Sequence, residues 1–248
     1  MKLSGKIAFV TGASRGIGLA IAQEMANQGA KVVINDLSAD RTDGAVATII
    51  AKGGQALALP GDISDTSFVK TSFEKITATW GEVNILVNNA AVEARKSSLD
   101  FTEEDYDTMM RVNLKAAFFL AQRALKSMVG QQWGRVINIS SVHEEIPTGF
   151  CSIYSMTKAG LRMMTRELAH EFSQYGITVN NIAPGAIRTD MNKKVLSDPA
   201  YEQKVLAKIP ARFIGQPHDV AKLAAFLATD DARYITGATY LVDGGLAL

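Results

Sequence analysis

Seven short apolar runs, separated by helix-length stretches, set the rhythm of this 248-residue chain. The runs cover residues 7–10, 32–34, 56–59, 83–87, 136–139, 177–180 and 240–242, and helical patterns fall over 16–28, 40–52, 65–79, 102–129 and 152–174. A strand wetted on one face alternates apolar and polar residues, whereas a run apolar throughout suits a sheet covered on both faces. Regular alternation with helices then implies βαβ crossovers and parallel strands. The expectation is one α/β domain over residues 1–248, built on a doubly wound parallel seven-stranded sheet. Residues 186–216, with Pro199 and Pro210, break the rhythm. Long connections in compact domains are commonly lids, and a substrate lid is expected there.

The turn after the first run reads Thr11-Gly12-Ala13-Ser14-Arg15-Gly16-Ile17-Gly18. Strand, glycine-rich turn and helix in that order make a phosphate cradle of the Rossmann type. Gly12 permits a tight turn, Gly16 lets the backbone approach a pyrophosphate, and Gly18 lets helix and strand pack closely. Free N–H groups and the dipole at the helix start favour the anion. Asp36, followed by Leu37, closes the second run at the distance expected of a carboxylate that bonds a ribose 2′-hydroxyl. It would repel a 2′-phosphate, so NAD is expected in preference to NADP. Asp62 and Ile63 after the third run, and Asn89 and Ala90 after the fourth, extend this cofactor surface.

Tyr154 and Lys158 lie four residues apart, on one face if the segment is helical. A free phenol titrates near pH ~10. An ammonium one turn away favours phenolate and is expected to lower that value toward a working acid–base range. Ser141, thirteen residues upstream of Tyr154, offers a hydroxyl to hold a substrate oxygen.

These motifs resemble the short-chain dehydrogenase/reductase family along nearly the whole chain. The family's Thr-Gly-x-x-x-Gly-x-Gly falls on residues 11–18, and its Asn-Asn-Ala-Gly on Asn88 to Ala91, with Ala91 in place of the last glycine. The resemblance implies a catalytic set of Asn113, Ser141, Tyr154 and Lys158. In it Tyr154 transfers the proton, Lys158 bonds the nicotinamide ribose, and Asn113 holds a water leading from Lys158. It also carries Pro184, Gly185, Ile187 and Thr189 into the cofactor site, beside Ser14, Arg15 and Ile17. A homotetramer follows from the same resemblance, with the two long helices pairing across a two-fold axis.

The segment 140–147, with Glu93, Asn192 and residues 185–187, is similar to that of glucose 1-dehydrogenases. This implies a sugar substrate bound by Glu93, Ser141, His143, Glu144, Tyr154 and Asn192. Residues 193–195 depart from that pattern. The alternatives are a 3-oxoacyl thioester reductase, another secondary-alcohol dehydrogenase, or a dinucleotide sensor without catalysis. Net charge is +1 with no basic stripe, so no nucleic-acid partner is expected. No apolar run reaches the ~20 residues of a membrane span. The N-terminus lacks a signal-peptide pattern, and the single cysteine, Cys151, allows no internal disulfide. A small-molecule substrate, no metal site and a cytoplasmic setting are expected.

Overall fold

The computed structural model describes residues 1–190, 192 and 197–248. The strands are β1 (Ile7–Val10), β2 (Lys31–Asp36), β3 (Gln55–Pro60), β4 (Ile85–Asn88), β5 (Gly134–Ile139), β6 (Ile177–Pro184) and β7 (Thr239–Val242). They form one seven-stranded parallel sheet in the order β3-β2-β1-β4-β5-β6-β7. The doubly wound sheet read from the sequence is the one found. Strand order reverses between β1 and β4, and in such sheets the crevice at the carboxyl ends of those strands receives ligands.

The apolar runs are explained by burial on both faces. Successive residues of β1 serve opposite cores: Ala8 and Val10 face one, Ile7 and Phe9 the other. The first core is closed by α1 (Gly16–Asn27), α2 (Ala39–Ile50) and a helix over Pro217–Leu227, through Ile21, Met25, Ile49 and Val220. The second is closed by α3 (Thr66–Thr79), α5 (Ala116–Gln131) and α6 (Ser152–Phe172), through Phe73, Leu120, Met128 and Leu161. Side-chain caps start several helices. Ser38 accepts from Arg41 N, Asp65 from Ser67 N, and Thr102 with Asp105 forms a capping box. The start of α1 differs, because its N-cap Arg15 supplies no side-chain acceptor. Its first N–H groups remain available to an external anion.

The long helix expected over 102–129 is two helices. α4 (Glu103–Met110) and α5 are joined by a π-helical turn, Arg111–Lys115, that carries Asn113. Period alone does not reveal one inserted residue in a helix, and such turns often mark functional positions. Within 186–216, Ile187 pairs with Gly215 as a parallel bridge, and α7 (Pro199–Lys208) follows, started by Asp198. The departure from the sugar-dehydrogenase pattern at 193–195 lies outside the described residues. The helix over Pro217–Leu227, α8, packs on α1 and was not anticipated. Among the described residues no helix is long and apolar enough to cross a membrane.

Candidate active site

A cavity of about 1110 Å³ opens along the carboxyl ends of the strands. At its far end lies the glycine-rich turn, tied to the turn after β4. Thr11 Oγ1 accepts from Asn89 N at 3.0 Å and Ala90 N at 3.1 Å, and Asn89 Nδ2 donates to Thr11 O and Gly12 O. Gly12 adopts φ +60°, and a Cβ there would stand 2.9 Å from Ala90 Cα. A Cβ on Gly18 would meet Gly12 O at 2.4 Å. Gly18 therefore lies behind the turn and packs helix on strand instead of forming cavity wall. Gly12, Arg15, Gly16 and Ile17 do line the cavity, as do Asp36, Leu37, Asp62, Ile63, Asn89 and Ala90. So do Pro184, Gly185, Ile187 and Thr189. The open helix start and the cradle that a Cβ would fill fit the phosphates of a dinucleotide.

Ser14, expected to touch the cofactor, is instead a buttress: its Oγ donates to Asp36 Oδ2 at 2.6 Å. The other Asp36 oxygen accepts from Arg41 Nη2 at 2.9 Å. Burial raises the Asp36 carboxyl, but the bonds from Ser14, Arg41 and Ser38 outweigh it and hold the group below its ordinary value. Arg41, five residues past Asp36, was not read from the sequence as part of the cofactor surface. One helical turn from the N-cap of α2 brings it back onto Asp36, on the cavity wall.

At the opposite end stand Ser141, Tyr154 and Lys158. Ser141 follows β5, while Tyr154 and Lys158 share the inward face of α6, with Tyr154 9% and Lys158 2% exposed. The Ser141 hydroxyl hydrogen-bonds the phenol, and Lys158 Nζ donates to the Ile139 carbonyl at 2.8 Å. The expected lowering of the phenol is not found. Burial, then the Glu93 carboxylate, push Tyr154 above its ordinary value, and only Ser141 and the more distant Arg95 pull the other way. The lysine amine lies 5.4 Å from the ring centroid and is directed to Ile139. Burial lowers Lys158 itself to about 8, against the pull of Glu144 and Glu93.

Asn113 is buried with its side chain committed elsewhere. Oδ1 accepts from Val92 N at 2.8 Å, while Nδ2 donates to Val92 O and to Thr157 Oγ1. It fixes the loop that carries Glu93 and is not bonded to Lys158.

The substrate residues read from sequence divide. His143 and Asn192 reach the cavity. His143 Nδ1 lies 3.2 Å from the Ile146 carbonyl, which can only accept, so Nε2 is left as an acceptor. Burial holds this imidazole below its ordinary value and therefore neutral at pH 7. Asn192 Nδ2 donates to Ile187 O at 2.6 Å. Glu144 does not reach the cavity: its side chain is 1% exposed, accepts from Asn181 Nδ2 at 2.7 Å and pairs with Arg162 at 3.6 Å. The turn Val142–Glu144 turns it toward Asn181 of β6, a direction that spacing alone does not give. Glu93 lines the cavity but is bound on both oxygens, by Arg95 Nε at 2.9 Å and Nη2 at 3.3 Å, and by Cys151 Sγ. Burial, reinforced by Glu93, pushes the Cys151 thiol up to about 12, which leaves it inert. Arg95, Phe150, Tyr201 and Lys204 also line the cavity and were not anticipated. For Arg95 the available signal was its place two residues after Glu93.

Residues 12–247 match the protein family described as enoyl-(acyl carrier protein) reductase. The chain is 39% identical to the 3-oxoacyl-[acyl-carrier-protein] reductase FabG of Escherichia coli (strain K12), over 99% of each chain. Among solved structures it superposes on a proposed gluconate dehydrogenase from Agrobacterium tumefaciens with a TM-score of 0.97, at 34% identity, covering 99% of this chain and 97% of that one. A proposed 2-deoxy-D-gluconate 3-dehydrogenase from the same organism, with bound NADP, gives a TM-score of 0.92 at 39% identity, covering 99% and 97%. That neighbour holds NADP, so the expected preference for NAD does not follow from the fold. These relatives also leave specificity for glucose unsupported. With the fold, the glycine turn and full-length relatives in agreement, the chain belongs to the short-chain dehydrogenase/reductase family of NAD(P)-dependent oxidoreductases.

Proposed function

We propose that this enzyme oxidises the secondary alcohol of a polyhydroxylated, sugar-type substrate, or reduces the matching ketone. The observation that carries the reading is that Ser141, Tyr154, His143 and the polar Asn192 line the same cavity as the glycine turn. A nicotinamide dinucleotide, when bound, supplies the hydride chemistry. In that reading Gly12, Gly16 and the start of α1 hold its phosphates, and Asp36 with Arg41 meets its adenosine ribose. Ser141 orients the substrate oxygen and Tyr154 takes the hydroxyl proton on oxidation, or returns it on reduction. Lys158 steadies the wall behind the phenol. The neutral His143 accepts from a second substrate hydroxyl through Nε2, and sites that bond hydroxyls discriminate strongly against analogues that lack them. The neighbours named for gluconate and deoxygluconate substrates support this class.

Nicotinamide absorbance with aldoses, alditols, aldonates and 3-oxoacyl thioesters, each with NAD and NADP, tests the reading. Turnover is expected with at least one sugar derivative. Tyr154→Phe is expected to lower kcat by about a hundredfold or more while NAD(P)H still binds. A variant that keeps most of its kcat removes the phenol from the mechanism. Thioester turnover without sugar turnover favours the second reading, a 3-oxoacyl thioester reductase. Identity to FabG and the cavity-lining cations Arg111, Lys204 and Lys208 support that alternative.

We also assign a cytoplasmic homotetramer. Phe118 on α5, with Met156 and Met163 on α6, is 41%, 50% and 53% exposed, an apolar surface on the helices expected to pair. Light scattering after size exclusion decides the oligomer.

A further inference from the structure

Near Tyr154 the cavity is lined by a charged cluster, Glu93 and Arg95, that takes no direct part in proton or hydride transfer. Arg95 rests on Glu93 through Nε and Nη2, and its guanidinium lies 5.6 Å from the Phe150 ring centroid. Glu93 is nearly enclosed, with 8% of its side chain exposed, and the Cys151 thiol donates to it at 3.0 Å. The carboxylate is therefore an anchor and the arginine the group that meets the cavity, 37% of its side chain exposed. A guanidinium has five N–H donors, and Glu93 takes two of them. The others have no partner among the described residues.

Charge along the cavity is uneven. Asp36, Asp62 and Asp190 lie at the dinucleotide end, matched there by Arg15 and Arg41. Of the other charged residues that line the cavity, Arg95, Arg111, Lys158, Lys204 and Lys208 are cations and Glu93 alone is an acid. A planar guanidinium already held by an anchor and an aromatic neighbour loses little freedom on binding a second carboxylate, and offers it a fork of matching shape. This excess of cations over carboxylates also favours an anion electrostatically.

We propose that Arg95 receives a carboxylate of the substrate, so that the preferred substrate is a polyhydroxy acid and not the neutral sugar or alditol. This rests on the sugar-type reading above. Glu93, expected from sequence to bind substrate hydroxyls, is then the positioning residue for Arg95.

The test compares five- and six-carbon aldonates with the matching aldoses and alditols, with 6-phospho-D-gluconate and with 3-oxobutanoyl thioester, each with NAD and NADP. The proteins are the full-length chain, Arg95→Ala and Arg95→Lys. NAD(P)H fluorescence and thermal melting establish that each variant is folded. In the unsubstituted protein an aldonate is expected to exceed its alditol in kcat/KM by about tenfold or more, chiefly through KM. Arg95→Ala is expected to reduce that ratio about tenfold or more, and Arg95→Lys to restore part of it. An unchanged ratio in Arg95→Ala overturns the proposal. Preference for a neutral sugar overturns it while the sugar-type reading stands, and preference for the phosphorylated acid replaces carboxylate by phosphate as the recognised group. Turnover of the thioester alone, or of no sugar derivative, overturns both.

Discussion

Asp36 Oδ1 and Arg41 Nη2 stand 2.9 Å apart, an ion pair at the adenosine end of the cavity in which a diol-binding carboxylate and a phosphate-binding cation occupy the same few ångströms. Arg41 is 48% exposed at its side chain and free to leave the pair, whereas Asp36 is pinned by Ser14. The site therefore suits either dinucleotide, with Arg41 the partner of a 2′-phosphate. Arg41→Ala is expected to weaken NADPH binding about tenfold and to leave NADH within about twofold. Fluorescence titration of both reduced cofactors measures this directly. Equal weakening of the two would assign Arg41 to the support of α2 and not to the cofactor.

Gly18 is expected to tolerate no side chain. A Cβ would fall 2.4 Å from Gly12 O and 2.5 Å from Asn89 Nδ2, both fixed groups of the knot that joins the first and fourth strand ends. Overpacking of this kind costs about 1–3 kcal/mol. Gly18→Ala should lose that much in urea unfolding and bind NAD(P)H more weakly, because the displaced Gly12 turn carries the phosphate surface. Gly44→Ala, with nothing within 4 Å of the added carbon, is the control. A Gly18→Ala protein as stable as that control contradicts the packing argument.

The sheet was legible because its central strands are buried on both faces, so Ile7 to Val10 has no polar alternation to confuse with a helix. The glycine turn was legible because backbone approach restricts the residue type at each position. Direction in short turns was not. Glu144 follows Ser141 by three residues, yet the 3-10 turn buries one side chain against Asn181 and Arg162 and leaves the other on the cavity. Arg95 and Arg41 were missed for the complementary reason. Both are flexible cations whose partners, Glu93 and Asp36, are identified only when loop and helix start are folded. The sign of the Tyr154 shift was missed because spacing supplies the nearby amine but neither the burial nor the Ile139 carbonyl that engages it.

Lys158 places function and stability in opposition. Its amine is lowered from 10.5 to about 8 by burial, so at neutral pH the folded state bears a charged group at a cost of about 3 kcal/mol. The unfolded chain holds the proton up to 10.5 and the folded chain only to about 8, so the unfolded state binds more protons between those values and stability rises with pH across that window. Lys158→Met removes the cost and strands the Ile139 carbonyl, itself a loss of about 1–3 kcal/mol. The variant is expected to melt no lower than the parent at pH 7 while kcat collapses. Its advantage should shrink at pH 10. A Tm well below the parent at pH 7 would show that Lys158 is a net stabiliser.

Glu93 sets where along the pH axis the enzyme works. After burial it is the largest influence that keeps the Tyr154 phenol protonated. A negative charge nearby disfavours phenolate, so its removal must lower the phenol value. Oxidation requires Tyr154 to accept a proton and therefore gains rate as pH rises through that value. In Glu93→Gln the rising limb should move to lower pH, and at a fixed mildly alkaline pH the oxidation should be faster relative to its own plateau. Reduction requires the protonated phenol, so its falling limb should move to lower pH as well. Because the same substitution loosens Arg95, the profiles are to be taken as kcat at saturating substrate, where weaker binding does not enter. Arg95→Lys, which retains the carboxylate, should leave the limb nearer its original position. A Glu93→Gln limb that stays in place, or moves to higher pH, means that the carboxylate does not govern the phenol.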